Sequence, residues 1–178
     1  MGRIWQRAVS EAGLAGVAER ALAGRGLDEA DLARLREADT LVLAALADAV
    51  REKHRGDEVR MLREDLARRE RALVRLDLAQ GGVIGPTGEE LLREVALARL
   101  RAPASESVAV RFDALGLELA QAALVFGADA WWGDFGGRKT LPLFDASERR
   151  AQIQGLVERA GRRVVWVDAR VDALEQST

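Results

Sequence analysis

Apolar positions recur at helical spacing through the first third of the chain. Over 3–23, Ile4, Trp5, Val9, Leu14, Val17 and Leu22 punctuate an Ala-rich stretch, which predicts a helix ended by Gly24 and Gly26. Asp28 is placed to cap a short helix, with Asp31 three residues on. Asp39 or Thr40 starts another, in which Leu43, Leu46, Ala47 and Val50 recur as far as Glu52. KHRGD, 53–57, breaks the pattern around Gly56. From 58 to 80, Val59, Leu62, Leu66, Leu73 and Leu76 mark one apolar face, and Arg, Glu and Asp crowd the other. This spacing predicts the longest helix of the chain.

The pattern then changes. GGVIGPTG, 81–88, reads as a loop, and Thr87 with Glu90 forms a capping box opening a helix that runs to Arg101. After Pro103, SVAVRF (107–112) alternates Val108, Val110 and Phe112 with small or polar neighbours, a strand signature. LGLELAQAALVF (115–126) has leucines almost all round it and predicts a buried helix. KTLPLF (139–144) suggests a short edge strand, since Pro142 cannot donate to a ladder. Asp145 or Ser147 caps a helix ended by Gly161, and RRVVWVDA (162–169) predicts a second good strand. The expected fold is a helix-rich α/β domain. A helical region spans 1–80 and an α/β region spans 81–178, with an open sheet of two to four strands.

Composition narrows the chemistry. The 178 residues suffice for one domain with a sizeable core, and net charge is −2, so no global field favours nucleic acid or a membrane surface. No apolar run approaches the roughly 20 residues of a membrane span, and a cytoplasmic location is expected. There is no cysteine, which excludes disulfides, thiol nucleophiles and Cys-ligated metal centres. The single histidine, His54, sits where it can partner a helix dipole. No strand is expected before GGVIGPTG, so a phosphate cradle is not expected there. No cofactor is expected.

One stretch concentrates candidate chemistry. In FGADAWWGDFGG, 126–137, Trp131 and Trp132 stand between Asp129 and Asp134, followed by Phe135 and then Arg138. The tryptophans fit either core or subunit-interface aromatics, or an aromatic wall for a planar ligand or a partner. The aspartates fit loop caps or, with less support, a carboxylate pair. Arg138 with Lys139 fits solvated charge or the recognition of a phosphate or carboxylate. These six residues, Asp129, Trp131, Trp132, Asp134, Phe135 and Arg138, are the candidate ligand or partner site.

PTGEELLREVALARLRAPASESVAVRFDALGLELAQAALVFGADAWWG, 86–133, resembles the C-terminal part of the radical SAM enzymes of the futalosine route to menaquinone, aminofutalosine synthase and dehypoxanthine futalosine cyclase. The shared features are Pro-Thr-Gly opening a helix, then a strand, then Gly-x-x-x-Ala-Gln-x-Ala-Leu-x-Phe-Gly-Ala-Asp. Two further blocks, 27–59 and 154–169, resemble the family's helical segment before its cluster loop and its closing helix and strand. The resemblance implies an incomplete β/α barrel. It also implies an iron–sulfur cluster held by a CxxxCxxC loop, which this chain lacks. A full barrel takes about 200 residues or more, so the chain fits an internally deleted relative that has lost its chemistry. The expected function is that of a non-catalytic interaction or accessory protein. It would act through self-association or a partner subunit, for which a full-length radical SAM enzyme is one candidate by resemblance. The alternative is a small-molecule binding module for a nucleoside or an aromatic carboxylate.

Overall fold

The computed structural model describes residues 4–71, 73–76, 87–135 and 146–167. Helices α1 (Ile4–Glu11), α2 (Ala15–Leu22), α3 (Glu29–Glu37) and α4 (Thr40–Arg55) come first. The expected helix over 3–23 is broken in two at Gly13, whose φ of 70° turns the chain so that Leu14 enters the core. Local capping follows the sequence: Asp28 accepts from the Asp31 N–H at 2.8 Å, and Asp39 from the Leu41 N–H at 2.8 Å. Gly56, with φ of 68°, ends α4, and the buried Arg51 donates to the Gly56 carbonyl there. His54 lies in the last turn of α4, its Nε2 3.4 Å from the Ala21 carbonyl.

The stretch 58–80 is not one helix. It forms β1 (Glu58–Arg63), α5 (Glu64–Arg69) and β2 (Leu73–Leu76), so the helical region gives way to α/β structure after Arg55. The reason lies in β1. It runs between two neighbouring strands, with Met61 facing one helical layer and Leu62 the other, both buried. A short strand buried on both faces shows no clean alternation, and Leu62 and Leu66 mimic a helical repeat. Thus a strand, β2, precedes GGVIGPTG, contrary to expectation; 77–86 lie outside the described residues.

The remaining elements are α6 (Gly88–Arg101), β3 (Ser107–Arg111), α7 (Phe112–Leu115), α8 (Leu117–Val125), β4 (Ala130–Gly133), α9 (Ala146–Arg159) and β5 (Arg163–Val167). The capping box at Thr87 is formed in full, and Gly161, with φ of 72°, terminates α9. KTLPLF lies outside the described residues. The five strands among the described residues make one open parallel sheet in the order β2-β3-β4-β1-β5, one strand more than the sequence leads one to expect.

Successive side chains along a strand point to opposite faces, and the two faces differ in cover. Val59, Met61, Val108, Val110 and Trp131 pack under α4, α6, α8 and α9 in the large core. Among the described residues, the buried cluster on the other face is small: Leu62, Ala109, Ala130 and Trp132, with Ala67 of α5. The topology explains this. The chain leaves β1 toward one edge of the sheet and leaves β2, β3 and β4 toward the other. With right-handed crossovers, α5 falls on one face and the later helices on the opposite one. Neighbouring strands β4 and β1 therefore send the chain to opposite faces, which makes their junction the topological switch point.

Candidate functional site

The segment 126–135 has two ends with different roles. At its start, Gly127 has φ of 93°, and a Cβ there would stand 2.8 Å from Arg99 Cγ. Glycine is needed because Arg99 crosses over this turn on its way to Asp129. Arg99 donates from Nε to the Gly127 carbonyl at 3.0 Å, from Nη1 to the Glu106 carbonyl at 3.0 Å and from Nη2 to Asp129 Oδ1 at 2.5 Å. Asp129 accepts further from the Val108 N–H at 2.6 Å and from Arg55 Nε at 2.8 Å. Asp129 and Arg99 are each 1% exposed. Burial pushes the Arg99 guanidinium below its ordinary range, and the Asp129 carboxylate opposes that shift. The carboxylate thus joins α4, α6, β3 and the start of β4, and both of its oxygens accept hydrogen bonds from these donors.

The two tryptophans follow as adjacent strand residues and so point apart. Trp131 is fully buried in the large core, and its indole N–H donates to the Ala120 carbonyl at 3.1 Å. Trp132, 5% exposed, lies in the small cluster on the other face, under the Arg111 guanidinium at 5.2 Å. Its indole N–H is buried without a hydrogen-bond partner. Neither ring lines the cleft described next.

Beyond Trp132 the chain emerges at the carboxyl end of the sheet. Gly133 has φ of 142°, and a Cβ there would stand 2.6 Å from Asp113 Oδ1. The missing side chain lets Asp113 sit against the strand end. Asp134 is exposed, and Phe135 is wedged between Phe112, stacked at 4.4 Å, and Trp166, edge-on at 5.4 Å. These residues line a cleft of about 700 Å³. Its walls are Met61 and Arg63 of β1, Glu64, Asp65 and Arg68 of α5, the strand end Gly133–Phe135, Arg150 of α9, and Trp166 and Val167 of β5. Arg150 lies over the Trp166 ring at 4.7 Å. On the α5 side, Arg63 bonds Asp65 at 3.2 Å and Arg68 bonds Glu64 at 2.5 Å.

Of the six residues singled out from sequence, the structure brings Asp134 and Phe135 to the cleft. It keeps Asp129, Trp131 and Trp132 in the interior, and Arg138 lies outside the described residues. Arg63, Glu64, Asp65, Arg68, Arg150 and Trp166 enter from segments that sequence reasoning did not connect with the loop. The signal for them is topological: ligands of open parallel sheets bind outside the carboxyl ends of strands at the switch point, here the ends of β1 and β4. Among the described residues no group of three or more His, Cys, Asp or Glu could hold a metal ion, and no helix is long and apolar enough to cross a membrane. Comparison with protein-family models, with curated proteins and with solved structures finds no match.

Proposed function

We propose that the chain is a small-molecule binding module without chemistry of its own, holding a nucleoside or an aromatic carboxylate in the cleft at the carboxyl ends of β1, β4 and β5. The observation that carries this is the coincidence of the cleft with the switch point between β1 and β4. Aromatic side chains at one wall, Phe135 and Trp166, suit a planar ring. Charged groups at the other, Arg63, Glu64, Asp65 and Arg68, suit its polar edge. Descent from the radical SAM enzymes of the futalosine route belongs to the same proposal. It is supported by the three sequence blocks and by the order of strand, helices and strand over 107–133.

Thermal melting with adenosine and with benzoate tests the binding function. A ligand at 100 times its dissociation constant stabilises by about 2.7 kcal/mol. At least one probe is expected to raise the melting temperature of the wild type, and the Arg150→Ala variant is expected to lose most of that rise. No response to either probe contradicts the proposal.

The interaction function is the second reading, and one observation favours it. β5 is an edge strand whose Val164, Val165, Trp166 and Val167 are all only half-buried. A concentration-dependent oligomer in sedimentation equilibrium, together with no ligand response, would decide for self-association.

A further inference from the structure

We infer that the cleft selects unphosphorylated ligands and that Glu64 and Asp65 impose the selection; the inference rests on the ligand-binding function proposed above. In open parallel sheets the crevice at a switch point commonly takes a phosphate. It does so where a glycine-rich turn lets the backbone approach and the following helix offers free N–H groups. Here β1 passes into α5 through Arg63-Glu64-Asp65, with no glycine and with both carboxylates in the first helical turn. A phosphate entering this turn meets two negative charges.

The nearby arginines do not reverse the effect. Arg63 Nε is bonded to Asp65 Oδ1 at 3.2 Å, and Arg68 is bonded to Glu64 Oε1 at 2.5 Å. Across the cleft Asp134 adds a third carboxylate, and Arg150 lies over the Trp166 ring. Among the described residues of the lining, Arg63, Arg68 and Arg150 are matched in number by Glu64, Asp65 and Asp134, so that part of the lining carries no net charge. Such a lining supplies no field for a dianion. It does supply ring faces together with donors and acceptors, the chemistry that suits an uncharged heterocycle or a singly charged aromatic acid.

Neutralising the two acids removes the repulsion and frees both arginines in one step. The experiment is isothermal titration of the full chain at pH 8 and low salt with two probe pairs, adenosine against AMP and benzoate against phenyl phosphate. Wild type is compared with the double variant Glu64→Gln, Asp65→Asn. Both positions are partly or largely exposed, so the fold is expected to survive, and a thermal melt checks it. In each pair that binds, the wild type is expected to prefer the unphosphorylated member by about tenfold or more. The variant is expected to narrow that gap, because losing two carboxylates favours the phosphorylated, more highly charged member of each pair over its partner. Equal binding of both members by the wild type, or a gap that persists in a folded variant, overturns the selection and leaves the binding function standing. Failure of all four probes overturns the binding function and the selection with it.

Discussion

At the amino end of β4, Asp129 is buried and its carboxylate is shared among Arg99, Arg55 and the Val108 N–H. At the carboxyl end, Asp134 is exposed and lines the cleft. The two carboxylates flank the same pair of tryptophans, yet one holds the architecture and the other faces outward. The difference follows from the parallel sheet. Its amino end receives the carboxyl termini of α4 and α6, whose arginines converge there on one acid. Its carboxyl end opens where α5 and α9 lie on opposite faces. A buried carboxylate already shared by two arginines is closed to a ligand, whereas the end at which helices part company has room for one.

The largest expected effect is at the locked end. Asp129→Ala leaves Arg99 buried without its counter-ion, and breaking such a pair costs about 3–5 kcal/mol. Chemical denaturation should show that loss. Little loss would mean that Arg99 finds another partner and that the amino end is not the keystone described.

At the other end the expected effect on stability is small. Asp134→Ala should change unfolding free energy by about 1 kcal/mol or less, as for exposed charged side chains even where they are paired. It should nevertheless alter the binding of the probe, weakening adenosine through a lost acceptor or tightening benzoate through a lost like charge. Equal destabilisation by Asp129→Ala and Asp134→Ala would erase the distinction between the two ends.

How far the sequence revealed this depends on the range of the forces involved. The caps at Asp28, Asp39 and Thr87 and the stops at Gly56 and Gly161 are legible, because each is settled within a few residues. β3 and β5 are legible by alternation and by β-branched content. β1 is not, because what makes Val59, Met61 and Leu62 a strand is burial between β4 and β5, far along the chain. Reading 58–80 as a helix also hid the switch point, and with it Arg63, Glu64, Asp65 and Arg68. The site is half legible for the same reason. Asp134 and Phe135 mark the strand end, but Trp166 and Arg150 reach them only through tertiary packing. In the sequence the paired tryptophans fit core or subunit-interface aromatics as well as a ligand or partner wall. In a strand, adjacent side chains must point apart, and here both directions lead into packed layers.

The chain carries four tryptophans, Trp5, Trp131, Trp132 and Trp166, and their indole N–H resonances report on four separate places. Titrating whichever of adenosine and benzoate binds, and following these four signals by nitrogen–proton NMR, tests most directly where the ligand sits. A ring seated against Phe135 and Trp166 is expected to shift the Trp166 signal strongly and to leave Trp5, Trp131 and Trp132 close to their unliganded positions. A dominant shift at Trp132 or Trp5, with Trp166 unmoved, would contradict the assignment of the cleft as the binding site.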